Sequence, residues 1–122
     1  MSRLGLHLLL DLAEAPFETL DDPVLVEEAL VAAVRTMGAR VLGIHVHRLS
    51  PQGISGIVVI SESHLTIHTW PERGEAAIDL FTCGDPAGAR AAVEGLLAHL
   101  GARRSRLLEI ERGADRGASG AE

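Results

Sequence analysis

At 122 residues with 47% apolar side chains, the chain is about one domain long and carries enough apolar surface to bury a core. Its 17 acidic residues against 11 basic ones give a net charge of −6, without the positive surface that a phosphate backbone requires, so nucleic acid is excluded as a partner. The single cysteine, Cys83, can form no internal disulfide, and His7, Asp11 and Glu14 interrupt the apolar N-terminus, so a reducing, cytoplasmic setting away from membranes is expected.

The first element, "LGLHLLLDL" (4–12), reads as a strand, followed by the turn-like "APFETLDDP". Over 24–37 the residues Val26, Leu30, Val34 and Met37 recur at helical spacing, with Asp22 as cap, Pro23 at the first position and Gly38 past the end. Segments 40–49, 56–61, 64–70 and 76–82 are β-branched or alternating and are divided by "SPQGIS" and "PERGE" turns. A second helix is expected over 85–100, with Pro86 near its start and Gly101 at its end, although Gly88 and Gly95 weaken it. A last strand, "SRLLEIE", closes a single domain over 1–112, and the small, polar residues 113–122 read as a disordered tail. The order β-α-β-β-β-β-α-β predicts an α+β two-layer sandwich: a mainly antiparallel sheet with two helices on one face. Its other face needs a cover, and a second copy of the chain is the simplest one.

Residues 61–70, "SESHLTIHTW", concentrate reactive side chains in the middle of this sheet. In a regular strand His64, Thr66, His68 and Trp70 share one face, as do His45 and His47 on theirs. With His7, five histidines could converge on a metal, but the further ligands and spacing of a zinc site are missing, and each histidine alone reads as a hydrogen-bonded or surface side chain. No metal is expected. Ser63 lacks the G-x-S-x-G elbow of a hydrolase, and neither "GISG" nor "CGDPAG" fits a phosphate-binding loop. Cys83 reads as a small apolar residue at a strand end as readily as a functional thiol. Spacing alone therefore leaves the site unnamed.

The block "GISGIVVISESHLTIHTWPERGEAAIDLFTCGD" (53–85) closely resembles the prokaryotic S-adenosylmethionine decarboxylase family, pyruvoyl-dependent enzymes of polyamine synthesis. "SESHLTIHTWPE" and "AAIDLFTCG" match the family's motifs at the family's separation, and "LGLHLLLDL", "GARVLGIHVHRLSPQG" and "LLEIERG" match more loosely. The resemblance implies a chain that cuts itself. Ser63 Oγ would attack the Glu62 carbonyl and convert the peptide bond to an ester, with Ser55 and His68 matching the family's processing residues. Removal of the Ser63 Cα proton, the role assigned to His68, would expel the Glu62 carboxylate by β-elimination. Hydrolysis of the dehydroalanine would leave a covalent pyruvoyl group at 63, giving a β chain of 1–62 and an α chain of 63–122.

That pyruvoyl group would form a Schiff base with the substrate amine and accept electron density as CO2 leaves. Cys83 matches the residue that returns a proton to the substrate carbon, work that suits a thiol near neutral pH. Leu49, Leu65, Trp70 and Glu72 match positions around the substrate, with Glu72 a partner for ribose hydroxyls; Trp70 could instead close the core and Glu72 be a turn residue. The family's active sites lie between protomers, which implies a homodimer of processed αβ protomers.

Two positions depart from the family pattern. Leu49 stands where an aromatic ring commonly stacks on adenine, and Glu75 replaces another aromatic, a loss of stacking on the order of 1 kcal/mol or more. The departures leave a basic amino acid, ornithine or arginine, as an alternative substrate to S-adenosylmethionine. A non-catalytic regulatory or binding relative is a further alternative, against which the retained Ser63, His68 and Cys83 stand.

Overall fold

The computed structural model describes residues 4–114, and the expected tail lies outside the described residues from 115 onward. Six strands, β1 (Gly5–Ala13), β2 (Val41–Arg48), β3 (Ile54–Ile60), β4 (Ser63–Trp70), β5 (Glu75–Thr82) and β6 (Arg104–Arg112), form one sheet in the order β2-β3-β4-β5-β1-β6. Every neighbouring pair is antiparallel. Helices α2 (Pro23–Thr36) and α3 (Pro86–Leu100) lie side by side on one face, giving the expected two-layer sandwich. Among the described residues no helix is long and apolar enough to cross a membrane.

The core between the layers follows from two periodicities. Val26, Ala29, Leu30, Ala33 and Val34 of α2 and Ala89, Ala92, Val93, Leu96 and Leu100 of α3 are buried at helical spacing. They meet every second strand residue, such as Leu6, Leu8, Leu10 and Leu12 of β1 and Ala76, Ile78 and Leu80 of β5. Burying a leucine or isoleucine this completely contributes about 1.5–3 kcal/mol. Asp22 caps α2 as expected, accepting from the N–H groups of Val24 (3.0 Å) and Leu25 (3.3 Å).

Two elements differ from the expectation. The segment expected as a loop after β1 contains a single helical turn, α1 (Phe17–Leu20), too short to show helical periodicity in sequence. Strand β3 begins at Ile54 rather than Gly56 and ends before Ser61, so Ser55 belongs to the strand. Distant partners extend it. The Ile54 N–H donates to Thr69 Oγ1 at 2.9 Å, and Thr69 donates to the Leu20 carbonyl at 2.8 Å. Just before it, Gly53 has φ +108°, and a Cβ there would sit 3.1 Å from the Thr69 carbonyl oxygen, so only glycine fits.

Asp21 ties this corner down. Its carboxylate accepts from the Gly53 N–H at 2.9 Å and from Arg48 at 2.8 Å, and these bonds hold its carboxyl below the usual carboxylate range. The corner carries Leu49, whose N–H donates to the Gly53 carbonyl at 2.8 Å.

The other sheet face is open. It presents Leu9, Ile57, Val59, Trp70, Phe81, Leu108 and Ile110, of which Ile57, Val59, Trp70, Leu108 and Ile110 are each at least 38% exposed. Five of the six histidines stand on this face, in three groups. His7 and His64 are in edge contact at 6.5 Å, His45 and His47 stack at 6.1 Å, and His68 lies 6.5 Å from Trp70.

Candidate active site

Strands β3 and β4 are joined by a two-residue turn. Ile60 pairs with Ser63, and only Ser61 and Glu62 stand between them. A turn this short forces one residue into the left-handed region, and here it is Glu62, at φ +63°. For a residue with a side chain that conformation costs about 1–2 kcal/mol. The bond where cleavage is expected therefore leaves from a strained residue.

Directly across the sheet, Ser63 pairs with Thr82, and the Ser63 hydroxyl donates to Thr82 Oγ1 at 3.2 Å. Thr82 Oγ1 also accepts from the Gly84 N–H at 2.9 Å. Ser61, Glu62, Ser63, Thr82, Gly84 and Asp85 line a cavity of about 100 Å³ between the sheet end and the helix layer. Cys83 follows Thr82 immediately and is exposed as a free thiol. Glu62, Ser63 and Cys83 are thus gathered at one end of β4 and β5.

The remaining candidates gather at the opposite end of β4. Ser55 lies across from His68 in the β3–β4 register, and Ser55 Oγ is hydrogen-bonded to His68 Nδ1 at 3.2 Å, which fixes the imidazole on the open face. Trp70 stands two residues on and is 43% exposed, so it does not close the core. Glu72 is exposed in the 3-10 turn Pro71–Arg73 that follows. Leu49 is 42% exposed at the same corner.

Leu65 is a correction. Its side chain is 0% exposed and faces the helices, because its position in the alternation is the opposite of His64 and Thr66. Its side chain cannot touch a substrate on the open face.

Nor does one chain bring Ser63 and His68 together. They are five residues apart on β4, so their side chains leave opposite faces at a separation of roughly 16 Å along the strand. Freeing residue 63 as a chain end would not close that gap without peeling β4 from both neighbours.

The histidines likewise do not converge: among the described residues no three His, Cys, Asp or Glu side chains gather as a metal site.

Thr82 went unnoticed in the sequence although a signal was there. The buried half of β5 runs Ala76, Ile78, Leu80, Thr82, so an inward apolar series ends in a hydroxyl, which is retained in a core only when hydrogen-bonded.

Residues 6–113 match a family model described as S-adenosylmethionine decarboxylase. The chain is 49% identical over 113 residues to an S-adenosylmethionine decarboxylase proenzyme of Thermotoga maritima, covering 93% of this chain and 87% of that one. It is 40% identical to the protein of the same name from Methanococcus maripaludis, covering 93% of each. The crystal structure of an adenosylmethionine decarboxylase from Aquifex aeolicus superposes with a TM-score of 0.86 at 34% identity, covering 93% of both chains.

Proposed function

The chain belongs to the S-adenosylmethionine decarboxylase family, and from that premise we propose that it is made as a proenzyme, cuts itself between Glu62 and Ser63, and decarboxylates S-adenosylmethionine. The observation that carries this reading is the meeting at one peptide bond of a left-handed Glu62 and a Ser63 hydroxyl hydrogen-bonded to Thr82, with Cys83 one residue past that threonine. Position 63 suits a pyruvoyl group: a serine there provides the oxygen to be lost, and the adjoining cavity leaves it room. The group supplies a carbonyl that accepts electron density as CO2 departs. Everything else falls to side chains.

Ser63 Oγ is the nucleophile of the cut, which yields a β chain of 1–62 and an α chain of 63–122. Strain at Glu62 raises the energy of the uncut chain and so lowers the barrier to breaking it. Cys83, open to solvent and one residue from Ser63's cross-strand partner, holds the proton that returns to the substrate carbon. A working thiol needs a reducing compartment, in keeping with a cytoplasmic enzyme.

The two-ended layout of β4 supports a homodimer. In a two-fold contact each surface meets its counterpart reciprocally. If the open faces pack together with their strand directions reversed, the Ser63 and Cys83 end of one protomer meets the Ser55, His68, Trp70 and Glu72 end of its partner. Two complete sites result. Exposed Ile57, Val59, Leu108 and Ile110 supply apolar area for such a contact. His68 then acts on residue 63 of the other chain rather than its own.

S-adenosylmethionine is favoured over a basic amino acid by the state of Glu75. Its carboxylate is 3.4 Å from Arg73, so its charge is already answered and is not a free receptor for a cationic side chain. Leu49 covers a purine face without stacking on it. A Leu49→Phe variant is expected to lower KM for S-adenosylmethionine by roughly fivefold, the equivalent of about 1 kcal/mol of stacking, with kcat changed little.

Denaturing mass spectrometry combined with CO2 release tests the whole reading. Two chains split at 62/63, and CO2 from S-adenosylmethionine but not from arginine, ornithine or lysine, are expected. A single intact chain would overturn self-cleavage, and CO2 from ornithine or arginine alone would overturn the substrate.

A further inference from the structure

Thr69 and Thr82 are the buried polar residues among those described, and their hydroxyls are engaged differently. Thr69 is taken up by backbone, donating to the Leu20 carbonyl and accepting from the Ile54 N–H. Thr82 accepts from the Gly84 N–H, and its other partner is the Ser63 hydroxyl. Valine would fill the same space on β5 and bring no polar atom into the core. The hydroxyl therefore calls for an explanation in what it touches.

We propose that Thr82 is a positioning residue for self-cleavage, holding Ser63 Oγ at the Glu62 carbonyl for attack and then hydrogen-bonding the same oxygen as it leaves. The proposal rests on the reading that the chain cuts itself between 62 and 63. In the first step the bond from Ser63 Oγ to the Glu62 carbonyl carbon forms, the 62–63 C–N bond breaks, and the freed nitrogen of residue 63 takes the proton. Until then Ser63 Oγ carries the hydrogen, and Thr82 Oγ1 accepts it at 3.2 Å. This fixes the serine rotamer and turns the oxygen's lone pairs away from Thr82.

In the second step a base takes the Ser63 Cα proton and that electron pair becomes the Cα–Cβ double bond. The Cβ–Oγ bond breaks, and Oγ departs as a carboxylate oxygen of Glu62. Oγ now has no hydrogen and gathers negative charge. A hydroxyl has one donor and two acceptor sites, so Thr82 keeps the Gly84 N–H on one lone pair and turns its own hydrogen to Oγ. A hydrogen bond to developing charge is stronger than a neutral one. Threonine can play both parts, which a pure donor or a pure acceptor cannot.

The test is the rate at which freshly made chain becomes two chains, followed by denaturing mass spectrometry, in Thr82→Val and Thr82→Ser variants. The valine variant is expected to be cut roughly ten- to hundredfold more slowly, and the serine variant within about threefold of the unaltered chain. Restoration by serine separates the hydroxyl from the packing of the methyl group, since a structural role would leave the smaller side chain the worse one. Thr82→Ala, read on the folded fraction, provides the same comparison if the valine chain folds poorly. Cleavage at the unaltered rate in the valine or alanine variant, or a serine variant as slow as valine, would overturn the role of Thr82. Failure of the unaltered chain to be cut at 62/63 would instead overturn the self-cleavage reading.

Discussion

Replacing Ser63 by alanine is expected to leave one intact chain that releases no CO2, while replacing Cys83 by alanine is expected to leave cutting in place and abolish most turnover. The contrast follows from the geometry. On the proposed reading Ser63 carries the oxygen that attacks the Glu62 carbonyl, and without it no ester, no elimination and no electron sink can form, so both activities vanish together. Cys83 follows Thr82, the cross-strand partner of Ser63, and carries an exposed thiol, but nothing in the cut requires a second nucleophile. Losing a positioned proton donor typically lowers the chemical step by about 10²- to 10⁴-fold. Mass spectrometry of each variant alongside CO2 release checks both halves. A Ser63→Ala chain still split at 62/63 would show that the nucleophile has been misassigned, and a Cys83→Ala enzyme with near-normal turnover would remove the thiol from the proton transfer.

His68→Ala is expected to remain whole when made alone, and to be cut when it is co-expressed with Ser63→Ala. The first chain keeps the nucleophile and the second keeps the imidazole, so a mixed dimer contains one complete site. This expectation comes from distance. Ser63 and His68 sit on opposite faces of β4 roughly 16 Å apart, whereas the Ser55–His68 pair stands exposed on the face that a partner would cover. With the two chains given different lengths by a tag, cleavage should appear only in the His68→Ala chain, changing from almost none to a substantial share. If that chain stays whole in the mixture, His68 does not act across a dimer. If it is cut when alone, His68 is not needed for processing at all.

The short apolar run of β1, the alternation in β4 and β5, the caps at Asp22 and Gly101, and the spacing within α2 each encode a local preference, and all were legible. A single helical turn at Phe17–Leu20 was not, since one turn has no period to detect. The start of β3 was missed because Gly53 and Pro51 read as punctuation, while the bonds that carry the strand back to Ile54 come from Thr69 and Asp21, far along the chain.

The candidate site divides in the same way. Spacing left the site at 61–70 unnamed, and the chemistry came from the resemblance of that motif and of the Cys83 segment to the S-adenosylmethionine decarboxylase family. Leu65 was placed at the substrate by resemblance, although its alternation with His64 and Thr66 already pointed its side chain inward.

By itself, then, the sequence determined the layers of the fold and the family, and pointed to the 62–63 bond as the proposed place of cleavage. Only the tertiary structure decided that Glu62 is strained, that Thr82 lies under the Ser63 hydroxyl and that His68 belongs to the other end of the sheet. The physical reason is that a strand spreads neighbours in sequence to alternate faces and ever larger distances, while pairing brings residue 63 against residue 82. Which groups meet is thus set by register, a property of two strands that neither states alone.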